Sequence, residues 1–132
     1  MIPIKQTKLH TETQKGNCFY AVLASILHMD IEDIPQFQDG VWQRQLNEWL
    51  RPHGLAFLEI EYFGEDCERY GIVGCYHEIG GFSERSNNRG HSCIGVDGKL
   101  IFDPHPSDAG LVKEFRQGIF IALEPWRLTS GK

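Results

Sequence analysis

The sequence predicts an α+β fold, in which N-terminal helices pack on a mostly antiparallel β-sheet. Apolar residues recur with helical spacing up to Gly54, and they alternate with polar residues after it. Farther along, Asp97-Gly98 separates two strand-like runs, which is typical of a tight β-hairpin. The 132 residues are expected to form one domain, residues 1–132, which is long enough to bury a core.

Two helices are predicted in the first part of the chain. The run "CFYAVLASILH", residues 18–28, has apolar side chains three and four positions apart, and Asn17 precedes it as a suitable N-cap. The stretch "DGVWQRQLNEWLRPHG", residues 39–54, predicts a second amphipathic helix that ends near its proline and glycine. Residues 29–37 between them are predicted to form a turn with about one helical turn.

The second part of the chain is predicted to be rich in strands. Residues 64–71 are predicted to form a short helix or a turn. The polar stretch "FSERSNNRG", residues 82–90, is expected to be an exposed loop, and residues 80–90 form a candidate lid because they lead into His91. The predicted strands cover residues 55–63 and 72–81, a hairpin over 91–103, and residues 118–126.

The hairpin brings a histidine and a carboxylate together at its open end. A turn centred on Asp97-Gly98 places His91 opposite Pro104, so Asp103 is a diagonal neighbour of His91. A carboxylate at that position is expected to accept the Nδ1–H of the imidazole and to leave Nε2 facing outward. The hairpin alone therefore predicts an oriented imidazole.

Cys18 is a candidate nucleophile at the start of the first helix. The positive end of the helix dipole favours the thiolate there, and an imidazole with an orienting carboxylate completes the set used in nucleophilic cysteine catalysis. Gly16-Asn17 is expected to let backbone N–H groups near Cys18 face an oxyanion, and Gln14 is a candidate side-chain donor. A cysteine alone is more often simply packed, so the combination carries the interpretation.

Two stretches resemble papain-like cysteine peptidases, in particular small bacterial and phage members. "QKGNCFYAVLASIL" resembles their nucleophile helix, and "GHSCIGVDGKLIFDPHPS" resembles their His–hairpin–Asp segment. "GNCFYA" is also similar to the nucleophile motif of ovarian-tumour deubiquitinases, although Lys15 stands where those proteins have Asp. The resemblance covers roughly a quarter of the chain and the order of its elements.

The resemblance implies a papain-like fold and a role for each site residue. Cys18 is the nucleophile, His91 the general base and Asp103 the residue that orients it. The family's oxyanion glutamine is matched by Gln14, with Gln6 as a second candidate because the family places this residue farther upstream.

The implied activity is that of a cysteine-dependent hydrolase, a peptidase, isopeptidase or amidase, that acts through a thioester. Its substrate is then a peptide or protein, and no cofactor is needed. Two alternatives stay open. One is a transglutaminase-like acyl transferase, which uses the same residues. The other is a non-catalytic protein-binding module on the same scaffold.

The charge and the apolar runs limit the partners. The formal net charge of -5 disfavours nucleic acid and anionic membrane surfaces. The longest apolar run is too short to span a bilayer, and no signal-peptide pattern is visible at the N-terminus. A cytoplasmic location with reduced cysteines is therefore expected. The oligomeric state is left open.

A zinc site is a weaker alternative. Cys67, Cys75 and His77 are three potential ligands, with His53 or His105 as a fourth. Because the cysteines are far apart and no Cys-x-x-Cys knuckle is present, the expectation is that no metal is bound.

Overall fold

The structure, a computed structural model, describes residues 1–84 and 89–123. Within these ranges the chain forms three α-helices and one five-stranded antiparallel sheet, which confirms the predicted α+β class. None of the described helices has the length and apolar character needed to cross a membrane. The helices are α1 (Cys18–Leu27), α2 (Trp42–Leu50) and α3 (Phe63–Tyr70). The strands are β1 (Leu55–Ile60), β2 (Tyr76–Phe82), β3 (Gly90–Val96), β4 (Lys99–Phe102) and β5 (Lys113–Ala122).

The sheet has the strand order β1-β5-β2-β3-β4, so the last strand lies between β1 and β2. The main apolar core lies where α1, α2 and β1 meet. Most of the core residues come from α1 and α2, because the apolar residues along one side of each helix are buried together. The buried core residues are Leu23, Ala24, Ile34, Leu46, Leu50 and Phe57.

The predicted hairpin is confirmed. Asp97 and Gly98, between β3 and β4, have φ angles of 52° and 88°, which is the left-handed backbone that a type I′ turn requires. The Asp97 carboxylate accepts the N–H groups of Gly74 and Cys75 at 2.8 Å each. These bonds hold the segment before β2 in a turn, so β2 begins at Tyr76 and the strand predicted from residue 72 starts late.

The first strand and its following helix are also displaced from their predicted limits. β1 ends at Ile60 rather than at residue 63, and α3 begins at Phe63. Tyr62 precedes α3 with a φ of 60°, so the extended backbone cannot continue through it. The short helix predicted over residues 64–71 is present as α3 with these shifted ends.

The last strand begins earlier than predicted. β5 starts at Lys113, whereas the alternation of apolar residues predicted a start at residue 118. The charged residues Lys113, Glu114 and Arg116 interrupt the alternation of apolar and polar residues that predicts a strand. An ion pair with buried Glu78 lets Arg116 lie within the sheet. The predicted end of this strand lies outside the described residues.

Part of the candidate lid is regular structure. Residues 80–82 belong to β2, and Gly90 begins β3. The centre of the predicted loop, residues 85–88, lies outside the described residues.

The N-terminal segment connects α1 to the loop that follows β4. The Ile2 N–H donates to the Ser25 carbonyl at 3.0 Å, and the Gln6 N–H donates to the Pro104 carbonyl at 3.0 Å. Lys5 Nζ donates to the Asp103 carbonyl at 2.8 Å and also pairs with Asp108. This segment therefore positions the end of the hairpin relative to the helix that carries Cys18.

Gly98→Ala is expected to destabilise the fold more than Gly71→Ala. A Cβ on Gly98 would lie 2.3 Å from the Gly64 Cα, whereas a Cβ on Gly71 would meet nothing within 4 Å. Both glycines have positive φ, so Gly71→Ala measures the cost of the backbone conformation alone, about 1–2 kcal/mol. The overlap should add about 1–3 kcal/mol at position 98. Urea denaturation of both variants measures the difference, and equal losses would contradict the close approach of α3 to the turn.

Candidate active site

A β-bulge sets the relation between the two hairpin residues of the site. Gly95 pairs with Leu100 as the turn predicts, but Ile94 pairs with Phe102, so Ile101 is an extra residue on β4. The predicted opposition of His91 and position 104 is therefore wrong by one residue. Because a shift of one residue moves side chains to the other face of a strand, the bulge brings the Asp103 side chain to the face that carries His91.

His91 and Asp103 form a buried hydrogen-bonded pair. His91 Nε2 lies 2.6 Å from Asp103 Oδ1, and the two side chains are 7% and 2% exposed. The expectation that Asp103 accepts from Nδ1 is wrong, and Nδ1 is the nitrogen left for other groups.

Asp103 is held by backbone donors as well. Its Oδ1 accepts the His105 N–H at 2.9 Å, and its Oδ2 accepts the Gly110 N–H at 2.8 Å. Burial raises the pKa of Asp103, but the hydrogen bonds from His91, His105 and Gly110 outweigh it and hold that pKa well below its usual range. The carboxylate is therefore ionised and fixed in orientation.

His91 is kept protonated by its surroundings. Burial by itself lowers the pKa of this imidazole. Side-chain hydrogen bonds to Asp103, Cys18 and Cys93 raise that pKa by more than burial lowers it, to about 11. An imidazolium beside a thiol is the charge arrangement that stabilises a thiolate. Of the three residues predicted as catalytic, His91 and Asp103 are in direct contact, and Cys18 lines the same cleft as His91.

Cys18 is the first residue of α1 and is partly buried. The first helical hydrogen bond runs from the Ala21 N–H to the Asn17 carbonyl, so the N–H of Cys18 precedes the helical pattern. Asn17 does not cap the helix with its side chain, contrary to prediction. Its Oδ1 instead accepts the N–H groups of Thr7 and Lys8, at 3.1 and 2.9 Å. It therefore clamps the N-terminal segment beside Cys18.

The cysteine and the histidine line the same cleft, whose volume is about 980 Å³. One part of its wall is formed by residues 9–16, and another part by Ser83, residues 89–92 and His105. The cleft has the size of a typical small-molecule or peptide site. Its aromatic lining consists of Phe19, Tyr20, Phe37, Trp42 and Phe115.

The two candidate oxyanion glutamines lie in different environments. Gln14 is exposed, and its Nε2 donates to the Leu9 carbonyl at 2.9 Å, which closes the loop in that wall. Gln6 is 9% exposed and lines the cleft, with Nε2 bonded to the Lys8 carbonyl at 2.9 Å. Its Oε1 is buried without a hydrogen-bond partner among the described residues.

Gly16 allows the Gln6 amide to lie beside the start of α1. A Cβ at position 16 would lie 3.1 Å from the His10 backbone nitrogen and 3.4 Å from Gln6 Nε2. Gly16 therefore permits close packing of the N-terminal segment. The sequence predicted a different role for Gly16, in which it lets backbone N–H groups face an oxyanion.

A buried ion pair that sequence reasoning missed supports the aromatic side of the cleft. Arg116 donates to both carboxylate oxygens of Glu78, at 2.9 and 2.7 Å, and Glu78 also accepts the Ser92 hydroxyl at 2.7 Å. The Arg116 guanidinium lies 5.0 Å from the Trp42 ring centroid and 5.8 Å from that of Phe19. No local signal connects residues so far apart in the chain.

The predicted zinc alternative lacks its histidine. His77 donates from Nδ1 to the Glu78 carbonyl at 3.1 Å, and its Nε2 accepts the Gly98 N–H at 2.9 Å, so both nitrogens are in use. In the described part of the chain, the one compact group of three potential metal ligands is His91, Cys93 and Asp103. Cys93 is fully buried, and its position two residues after His91 places both residues on one face of the strand.

The papain-like assignment stays a prediction from the motifs. No protein-family model, no curated protein and no solved structure matches this chain.

Proposed function

We propose that this protein is a cysteine-dependent hydrolase that cleaves an amide or ester bond through a Cys18 thioester. The observation that carries the proposal is the buried His91–Asp103 pair in the cleft that Cys18 also lines. A buried imidazolium with its own carboxylate serves no packing purpose that an apolar side chain would not serve better. Beside a partly exposed cysteine at a helix N-terminus, it fits nucleophilic catalysis.

The reaction follows from the positions of the protons. The reactive form is the thiolate–imidazolium pair, in which His91 already carries the proton of the Cys18 thiol, and the thiolate attacks the substrate carbonyl carbon. When the tetrahedral intermediate collapses, His91 protonates the leaving amine and the acyl group stays on Cys18. Water then loses a proton to His91, attacks the thioester and releases the acid. Asp103 keeps the imidazole oriented throughout.

The oxyanion of the intermediate is proposed to bind the backbone N–H of Cys18 and the side-chain amide of Gln6. Gln6 is favoured over Gln14 because its side chain is buried against Gly16, whereas Gln14 is exposed. The Gln14 amide is committed to the Leu9 carbonyl at the exposed rim.

Gln6→Ala is expected to lower kcat by about 10²–10³-fold, because it removes one oxyanion donor from a preorganised site. Gln14→Ala is the matched control and should change kcat far less, since its amide closes a loop. Hydrolysis kinetics of both variants on one chromogenic ester give the comparison. The reverse order of effects would return the oxyanion role to Gln14.

The proposed scaffold is papain-like, of the kind found in small bacterial and phage proteins, because the order of nucleophile helix, histidine and acid agrees with that superfamily. A peptide or protein is the proposed substrate, since the cleft is wide and combines aromatic and charged walls. The four free thiols support a reducing compartment, and we propose the cytoplasm.

Selective alkylation tests the reactive thiol directly. Iodoacetamide at neutral pH should label Cys18 much faster than Cys67, Cys75 or Cys93, and mass spectrometry of tryptic peptides measures each rate. His91→Ala should slow the labelling of Cys18 without changing that of partly exposed Cys75. Equal labelling of Cys18 and Cys75 in the native protein would speak against an activated nucleophile.

A further inference from the structure

The guanidinium of Arg116 lies among three aromatic rings that the proposed reaction does not use. Its central carbon is 5.0 Å from the Trp42 ring centroid and 5.8 Å from those of Phe19 and Phe115. These four residues, the Arg116 cluster, all line the cleft. Because Phe19 directly follows Cys18, a group bound by the cluster lies close to the proposed nucleophile.

The guanidinium is fixed in one orientation. Its Nε and Nη2 donate to the two oxygens of the fully buried Glu78 carboxylate, at 2.9 and 2.7 Å. A Cβ on Gly80 would lie 2.8 Å from Nε, 2.9 Å from Nη2 and 3.0 Å from Cζ, so Gly80 packs against one face of the guanidinium. The 17% of the Arg116 side chain that stays exposed therefore belongs to the opposite face and to the Nη1 edge.

The charges around the cluster favour a neutral ligand. Arg116 itself repels a cation. An anion is repelled by the Glu78 carboxylate and by that of Glu59, which lies 3.9 Å from Nη1 of Arg116, so two acids surround one base. Lys15 and Asp39, which also line the cleft, pair with each other at 2.7 Å.

We propose that the Arg116 cluster binds an aromatic side chain of the substrate, so that the enzyme prefers peptides with a phenylalanine-like ring near the bond it cleaves. The negative face of such a ring is attracted to a guanidinium, and its edge or face packs against other rings. An aliphatic side chain would cover the guanidinium without this attraction. The preference in cleavage rests on the proposed function, whereas the binding of a ring does not.

Binding is measured in the Cys18→Ala chain, which cannot form a thioester. N-acetylphenylalanine amide should shift the Trp42 indole N–H signal in an NMR titration. The cyclohexylalanine analogue has a similar shape but no π system, and it should bind about 3- to 30-fold more weakly. Phe115→Ala should weaken binding of the phenyl compound about 2- to 10-fold. Tyr70→Ala is the matched control, because it removes an exposed ring outside the cleft, and it should change neither affinity.

The role of the guanidinium is tested by replacing its ion pair jointly. Arg116→Met combined with Glu78→Gln leaves no buried charge without a partner, and the glutamine oxygen can still accept the Ser92 hydroxyl. The preference for phenylalanine over cyclohexylalanine should disappear in this variant, whose melting temperature shows whether it folds. The comparison of the two ligands in the chain with Arg116 intact decides the proposal even if the double variant does not fold.

Cleavage by the wild-type chain gives the kinetic test. Capped alanine tetrapeptides that carry phenylalanine at each position in turn should reveal one position that raises kcat/KM. Cyclohexylalanine at that position should lower kcat/KM again by about 3- to 30-fold.

The outcomes separate this inference from the proposed function. Equal or tighter binding of the cyclohexyl compound overturns the inference, because a cleft that is only apolar would bind it at least as well. If cleavage requires Cys18 but is the same with and without phenylalanine, the inference fails and the proposed function stands. If the phenyl compound binds preferentially but the wild-type chain cleaves nothing, the function fails and the ring site stands.

Discussion

Cys18→Ala is expected to lower kcat for ester and peptide substrates on the order of 10⁶-fold, which leaves only the residual rate that the oxyanion donors and substrate binding supply. Among the four cysteines, Cys18 alone lines the cleft, so no other thiol can replace it. The variant should fold normally, because Cys18 is partly exposed at a helix start and its loss creates no buried cavity. Hydrolysis rates and melting temperatures of the variant measure the two effects separately.

Cys75→Ala is the matched control, since it removes a partly exposed thiol outside the cleft and should leave hydrolysis unchanged. Acid-quenched reactions should show an acyl group on Cys18 by mass spectrometry. An added amine that captures this acyl group would identify acyl transfer. A Cys18→Ala protein with intact biological activity would instead indicate a binding module.

Asp103→Asn is expected to lower kcat by up to about 10⁴-fold, as the corresponding change does in a Ser-His-Asp triad. An asparagine oxygen can replace Oδ1 as the acceptor from His91 and His105. In the wild-type chain the Gly110 N–H donates to Oδ2. In the variant the NH₂ group of asparagine takes the place of Oδ2, so two hydrogen-bond donors face each other. The change therefore removes the charge beside His91 and also strains the loop that holds the acid.

The same variant should narrow the pH range of activity. Burial lowers the pKa of His91, but hydrogen bonds raise it to about 11. Among these hydrogen bonds, the one to Asp103 has the largest effect. Because His91 must be protonated to release the leaving amine, activity persists below this pKa and is lost above it. Without the carboxylate the pKa falls, so the alkaline limit of kcat/KM should move to lower pH.

Asp108→Asn serves as the control for this pH profile. Asp108 lies on the same loop, but it is exposed and pairs with Lys5 rather than with His91. Its neutralisation should leave the alkaline limit in place. An unchanged profile in Asp103→Asn would mean that the carboxylate does not set the protonation of His91.

Much of the fold is readable from local patterns. The apolar stripes of α1 and α2 and the Asp97-Gly98 turn are properties of short stretches, and each is found where its pattern predicts it. The start of β5 is not readable, because its charged residues are accommodated by Glu78, which lies 38 positions earlier. Strand limits depend on such distant partners, so the sequence predicts them less well.

The features of the candidate site also fall into those that local patterns predict and those that depend on distant partners. The sequence by itself determined that Cys18 begins a helix and that His91 and Asp103 lie at the open end of one hairpin, because helical spacing, turns and alternation act over a few residues. Tertiary structure alone decided that the Asp103 side chain lies on the face that carries His91, through a one-residue bulge at Ile101, and that Nε2 is the nitrogen that meets the carboxylate. It also placed Gln6 in the cleft, and a second thiol beside His91. These features depend on register and close packing between segments far apart in the chain, and no local pattern encodes either.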